Sequence, residues 1–206
     1  MTVVSLKAEK SRSGGVFKAE LSDGSTYVFT TDYLPEGYTD STLWRTGGEL
    51  SPADEEIFRF AASCYRTEKA ALHLIARAEQ NSLGLTAKLG RRGYERSAVN
   101  AVVLCLFDKN LLDDRRYAEL WLRSHLLKGN IKSPRWMRVS LAKRGIDRNS
   151  VIKALTEVLD PETEYNLLQK FIGKSKATGI KKQPSLKTRL KQEGFSSTVL
   201  NRYFDS

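Results

Sequence analysis

Basic side chains gather at three places along this chain of 206 residues: Lys88, Arg91 and Arg92; then Arg135, Arg138, Lys143 and Arg144; then Lys187, Arg189 and Lys191. Guanidinium and ammonium groups at such density bind polyanions, either nucleic acid or a protein assembled on it. Part of the pattern has a plainer cause. Arg92 and Arg144 immediately precede a glycine that ends a helix, where a cation answers the macrodipole. Arg135 and Arg138 lie at the opposite end of their helix, where the dipole disfavours them, so binding is the better account there. Trp136 beside them is either a buried indole or an anchor for a partner. Arg115, Arg116 and Arg123 complete the candidate binding set.

Residue types suited to catalysis are sparse. His73 and His125 are the only histidines, and neither has a carboxylate at metal-ligand spacing. There is no Gly-rich phosphate loop and no nucleophile elbow. His125 falls on an apolar helix face and reads as a satisfied packing residue. Asp113-Asp114 stands just before Arg115-Arg116-Tyr117, a position that suits helix capping better than metal binding. Cys64 and Cys105 sit among helical apolar positions, which predicts buried, reduced thiols and a reducing, cytoplasmic compartment. No catalytic residue, metal or cofactor is expected.

The elements that must position the cations follow one pattern written three times. Each copy runs Leu, three residues, Gly, a large apolar residue, then apolar positions five, eight and nine beyond it. The copies are Leu89, Gly93, Tyr94, Val99, Val102 and Val103; Leu141, Gly145, Ile146, Val151, Ala154 and Leu155; and Leu190, Gly194, Phe195, Leu200, Tyr203 and Phe204. Gly at C′ ends one helix in a left-handed turn. Glu95, Asp147 and Ser196 then become N-caps of the next helix. Tyr94 with Val99, Ile146 with Val151 and Phe195 with Leu200 take hydrophobic-staple spacing. A period of 52 and then 49 residues predicts stacked supersecondary units.

Upstream, Val4, Leu6 and Ala8 alternate, as do Phe17, Ala19 and Leu21 and then Tyr27 and Phe29, with bends at Gly14-Gly15 and Ser22-Asp23-Gly24-Ser25. Three mostly antiparallel strands are expected, packed on the first helices or moving as a semi-independent module. Ser51-Pro52-Ala53-Asp54 marks a helix start. Ile57, Phe60, Ala61 and Cys64 form its apolar stripe, and Ala71, Leu74, Ile75 and Ala78 that of a second helical stretch. Tyr117, Ala118, Trp121, Leu122 and His125 form the next stripe, and Tyr165, Leu168 and Phe171 another. Ser133-Pro134 and Pro184-Ser185 open middle helices, while Lys128-Gly129-Asn130 and 174–182 read as loops.

The expected fold is therefore mainly α, with three tandem three-helix repeats in an elongated array preceded by a small antiparallel β module. The boundaries are 1–50 for the β module and linker, then 51–108, 109–160 and 161–206 for the repeats, an array of roughly 60–80 Å. Charge follows that division. Residues 1–56 carry 5 basic against 10 acidic side chains, net −5, and residues 57–206 carry 29 against 14, net +15. The excess of positive charge belongs to the helices. No signal-like apolar stretch opens the chain and no run approaches the roughly 20 apolar residues of a membrane span. A monomer without membrane contact is expected.

Leu112-Asp113-Asp114-Arg115-Arg116-Tyr117-Ala118-Glu119, followed by Trp121-Leu122-Arg123-Ser124 and Ser133-Pro134-Arg135, closely resembles the core motif of the RecX family, small bacterial modulators of the RecA recombinase. Ala71-Leu72 to Ile75-Ala76-Arg77, with Glu79, Ser82, Lys88-Leu89 and Gly93-Tyr94, is similar to that family's first repeat. The resemblance covers roughly residues 68–206, and the β-containing extension looks like one found in some members. Gln80 and Gly84 depart from the pattern, and Glu193 replaces the basic residue that precedes Gly in the first two copies. The resemblance implies a non-enzymatic regulator. It would bind the RecA filament on single-stranded DNA along its groove, restrain ATP hydrolysis, strand exchange and co-protease activity, and touch single- or double-stranded DNA weakly and without sequence preference. A face made by Arg91, Arg92, Arg135, Arg138, Arg144, Lys187 and Arg189 would meet the filament. The alternative is a direct DNA-binding protein using helix-turn-helix geometry, since Gly93 to Val99 and Gly145 to Val151 have that spacing. Glu95 and Asp147 at the start of the reading helix weigh against it, because phosphates would repel them.

Overall fold

The computed structural model describes residues 1–9, 15–38, 45–176 and 184–205, which fall into two compact units, Met1–Leu112 and Asp113–Ser206. Gly14 of the first expected bend and residues 177–182 of the last expected loop lie outside the described residues.

The first unit opens with an antiparallel sheet ordered β1 (Val3–Glu9), β2 (Val16–Leu21) and β3 (Thr26–Thr30). Phe17 pairs with Phe29 and Ala19 with Tyr27 across β2 and β3. The alternation expected from Val4 is corrected at the first residues: Val3 is 1% exposed and Val4 is 54% exposed. The register shifts between Val3 and Ser5, and a bulge there turns one extra residue out of the pleat and reverses which neighbour faces inward. At the second bend Gly24 takes φ +86°, and the Asp23 carboxylate accepts from the Ser25 amide at 2.9 Å. The expected linker at Gly47-Gly48 is tied back onto β1. Val3 N donates to Gly48 O at 2.9 Å, Gly47 N to Val3 O at 2.8 Å, and the Met1 amino group to Leu50 O at 3.0 Å.

Helix α1 (Pro52–Ile75) starts at the expected capping box: Ser51 Oγ accepts from Asp54 N at 3.2 Å and Asp54 accepts from Ser51 N at 2.9 Å. Its length corrects the sequence reading. The two expected helical stretches are one helix of 24 residues, because nothing between Cys64 and Ala71 breaks it. The polar residues there are satisfied within the helix and the core: Thr67 Oγ1 donates to Ser63 O at 2.8 Å and Glu68 accepts from Lys109 at 3.0 Å. The inward stripe runs through Phe58, Ala61, Cys64 and Ala71, with Phe58 rather than Ile57 at the centre of the core. Phe58 meets the sheet at Phe29, ring centroids 5.0 Å apart, so sheet and helix share one core with α2 (Ser82–Arg91) and α3 (Arg96–Asp108). Cys64 is buried and its thiol is pushed up to about 12 by burial, whereas Cys105 is only half-buried.

The second unit contains α4 (Asp114–Leu127), α5 (Pro134–Ala142), α6 (Arg148–Val158), α7 (Pro161–Lys176), α8 (Pro184–Gln192) and α9 (Ser197–Phe204). Residues 174–176, expected as loop, continue α7. All six helices contribute to one core, through Ala118 and Leu122, Met137 and Leu141, Val151 and Ala154, Leu168, Leu190 and Leu200. The Glu164 carboxylate ties α7 to the start of α9 by accepting from both the amide and the hydroxyl of Ser196, each at 2.7 Å.

The three glycine joints share their geometry. Gly93, Gly145 and Gly194 have φ of +82°, +81° and +90°. The residue after each glycine donates its amide back to the carbonyl of Leu89, Leu141 or Leu190, at 3.3, 3.3 and 3.2 Å, which satisfies an orphan carbonyl of the ended helix. Asp147 and Ser196 cap the following helices through their side chains, and Glu95 occupies the same position with its carboxylate on the Ser97 hydroxyl. Gly194 is more constrained than Gly93. A Cβ there would lie 3.1 Å from Arg135 N, whose amide donates to Glu193 O at 2.9 Å, whereas a Cβ at Gly93 would meet nothing within 4 Å. Gly93→Ala should therefore cost about 1–2 kcal/mol from backbone strain alone, and Gly194→Ala about 1 kcal/mol more. Urea unfolding of both variants checks this, and equal losses would discount the contact between α5 and the third joint.

Candidate partner-binding surface

The candidate basic residues divide between the two units. In the first, Lys88 is half-buried and donates to Gln80 Oε1 at 2.6 Å, so it is engaged in ending α1, where Gln80 Nε2 also donates to Ala78 O at 2.8 Å. Arg91 and Arg92 are exposed. Arg92 lines an open groove of about 930 Å³ with Arg66, Lys69 and His73 from the last turns of α1 and Arg77 from the turn that follows it, together with Gly93, Tyr94 and Glu95 of the joint. Arg66, Lys69, His73 and Arg77 escape a search for basic residues clustered in sequence. The spacing of three and four residues puts Arg66, Lys69 and His73 on one face of α1 and is the signal that identifies them, whereas Arg77 joins them only through the turn after the helix.

In the second unit Asp113 caps α4, accepting from Arg116 N at 3.0 Å, and Arg115 donates to Glu119 at 2.8 Å on the same helix. Arg123, Arg135, Arg138, Lys143, Arg189 and Lys191 are exposed, and among the described residues none of them makes an ion pair. Lys187 lies over the Phe204 ring, 5.7 Å from its centroid. Arg144 is half-buried, donates to Ser140 O at 2.7 Å, and places its guanidinium 4.8 Å from the Trp121 centroid. The fold thus leaves Arg135 and Arg138 exposed on α5 and commits Arg144 to a neighbouring ring. The expectation that both arginines oppose the dipole is corrected for Arg138, which lies in the middle of the nine-residue helix, while Arg135 stands in its first turn.

That ring belongs to a cluster. Trp121 and His125 of α4 and Trp136 of α5 lie with centroids 5.0, 5.1 and 6.1 Å apart and planes within 28° of parallel. Trp136 is 40% exposed, so it is neither the buried indole nor a free one. The reading of His125 as a satisfied packing residue needs correction. It packs, but Nε2 is buried with no hydrogen-bond partner, because the faces it meets are aromatic. Burial first, then the positive charges of Lys132, Arg144 and Lys128, hold its pKa below the ordinary value near 6.5.

Below about pH 6.5 the unfolded chain therefore takes up a proton on His125 before the folded one does, so stability is level above that pH and falls as the solution is acidified toward the folded pKa. The melting temperature should drop more steeply between pH 7 and 5 in the natural chain than in His125→Phe, which keeps a flat ring and cannot titrate. Parallel curves would remove His125 as the cause.

One further group invites a metal reading. Asp32, Glu68 and Cys105 have potential ligand atoms within 4.8 Å of one another. Lys109 Nζ already sits among them, 2.7 Å from Asp32 and 3.0 Å from Glu68, and neutralises the carboxylates as an ion-pair network.

No family model matches the chain. It is 29% identical over 153 residues to the regulatory protein RecX of Treponema pallidum (strain Nichols), covering 73% of this chain and 92% of that one. It is 30% identical over 115 residues to the regulatory protein RecX of Vibrio parahaemolyticus, covering 56% of this chain and 71% of that one. The chain belongs to the RecX family. The fold agrees: a crystal structure of a regulatory protein RecX superposes with a TM-score of 0.68 over 100% of this chain and 99% of that one, at 20% identity. Helices with a small antiparallel sheet are thus an architecture that a RecX structure shares. Among the described residues no helix is long and apolar enough to cross a membrane.

Proposed function

We propose that this chain is a non-enzymatic, cytoplasmic regulator of the RecA recombinase. It binds the RecA filament on single-stranded DNA along its groove and inhibits ATP hydrolysis, strand exchange and co-protease activity, thereby modulating recombinational repair and the SOS response. Membership of a family of regulatory proteins supports this reading. The observation that carries it is the placement of Arg135, exposed, without an ion pair among the described residues, and in the first turn of α5 where the macrodipole works against it; Arg138, one turn further along the helix, is exposed and without an ion pair among the described residues as well. Charge kept at an intrinsic cost indicates use by a polyanionic partner.

The recurring joints at Gly93, Gly145 and Gly194 support reading 51–108, 109–160 and 161–206 as three related three-helix repeats after a β module and linker of 1–50. The protein acts as a monomer, with weak, nonspecific affinity for DNA. The deciding experiment is single-stranded-DNA-dependent ATP hydrolysis by the cognate RecA, with this protein titrated from far below to equal the RecA concentration. Inhibition at substoichiometric ratios is expected. No inhibition, with DNA bound equally well when RecA is omitted, would replace this reading by direct DNA binding.

A further inference from the structure

We propose that the Trp121–His125–Trp136 cluster is a stacking site for an unpaired nucleobase, with Trp136 as the contacting ring. The proposal deepens the reading above by assigning the chemistry of its DNA contact, and it rests on that reading only for its biological setting.

The core does not explain Trp136. The inward stripe of α5 is Met137, Ser140 and Leu141, with Pro134 at its start, and Trp136 stands off that stripe with 40% of its surface exposed. An exposed indole normally samples several rotamers. This one is held by His125 from behind, 5.1 Å away and 28° from parallel, and His125 is itself held by Trp121 at 5.0 Å and 19°. A flat apolar face that is already immobilised loses little further freedom when a second flat ring lies on it.

The charge around the cluster has one sign. Lys132 Nζ lies 5.2 Å from the Trp136 centroid and Arg144 4.8 Å from that of Trp121, and the charged groups acting on His125 are Lys132, Arg144 and Lys128. A base placed on an aromatic face with cations at its margin and phosphates on either side is how proteins hold single strands without reading sequence. A duplex, whose bases are already stacked, cannot offer that face. An acidic protein segment would satisfy the cations and leave the ring unused. The buried, unpartnered Nε2 of His125 fits the same assignment, since unsatisfied polar atoms are rare in cores and collect at working sites.

The test follows intrinsic tryptophan fluorescence of the full chain, without RecA, during titration with oligothymidylate, a blunt DNA duplex and polyglutamate. Oligothymidylate should quench and bind best. Trp136→Ala should weaken its binding by about 5- to 100-fold and abolish the quench, with Trp136→Phe in between, while the salt dependence stays unchanged because no cation is removed. Circular dichroism of Trp136→Ala should stay native, since the residue is outside the core. Equal quenching by polyglutamate would overturn the proposal in favour of an acidic protein ligand. Unaltered oligothymidylate affinity in Trp136→Ala would overturn it outright. Neither result bears on inhibition of RecA, which is read separately by ATP hydrolysis and could stand or fall alone.

Discussion

Arg135→Glu combined with Arg138→Glu is expected to raise the concentration needed for half-inhibition of RecA ATP hydrolysis by about 10- to 100-fold. Both side chains are exposed on α5, so reversal leaves the core intact, and the expected loss is one of association rather than folding. The orientation of the two charges is fixed from below. Pro134 and Met137 anchor the first turn of α5, Ser133 Oγ accepts from Trp136 N at 3.3 Å, and Arg135 N is held by Glu193 O at 2.9 Å. If the two arginines meet DNA phosphates, the slope of log affinity against log salt should become shallower by about 1.4, because two counterions fewer are released from a single strand. Loss of inhibition with a smaller change in slope, as screening of ion pairs without counterion release gives, would put acidic protein rather than DNA opposite these residues. Inhibition equal to that of the natural chain would remove the face from the interface altogether.

Leu122→Ala should destabilise the second unit by about 3–5 kcal/mol, a large share of the roughly 5–15 kcal/mol that holds an ordinary domain together. Leu122 is fully buried in the core that α4 to α9 share, and truncating it leaves a cavity there. The core of the first unit, built on Phe29, Phe58, Leu85, Leu89 and Leu106, is composed of other residues. Thermal unfolding followed by calorimetry should therefore show the variant melting in two steps, the earlier one carrying the heat of the second unit. A single transition shifted as a whole would mean that the two cores unfold as one cooperative body.

Much of this molecule is legible in its sequence, and the legible parts are those decided by neighbours along the chain. A glycine that can take positive φ, an N-cap residue two positions later, whose side chain caps at Asp147 and Ser196 but not at Glu95, and an apolar residue at staple spacing are close neighbours along the chain. The joints at Gly93, Gly145 and Gly194, the capping box at Ser51 and the cap at Asp113 are therefore written in the order of residues alone. The core stripe of α6 is legible for the same reason, because Val151, Ala154, Leu155 and Val158 follow helical period. Family membership is carried by the run from Leu112 to Ser124, a local motif as well. The continuity of α1 is not legible, since the polar stretch around Thr67-Glu68 resembles an interruption until Lys109, 41 residues onward, is seen to pair with Glu68. The bulge after Val3 is also hidden, because the register of β1 depends on its partner strand.

The candidate surface divides along the same line. Which residues carry positive charge was determined by the sequence, and so was the conflict between Arg135 and the dipole of its helix, whereas the helix bounds leave Arg138 outside that conflict. Whether a charge is available was decided by tertiary contacts: Lys88 is engaged by Gln80 and Arg144 by Ser140 and Trp121, while Arg135 and Arg138 stay exposed. The aromatic cluster belongs wholly to the second category. Trp121 and His125 are four residues apart on α4, but Trp136 comes from α5, and only the packing of one helix against another brings three rings to near-parallel stacking. Backbone geometry propagates along the chain residue by residue, whereas a surface made by two helices depends on how their cores lock together, which no local pattern encodes.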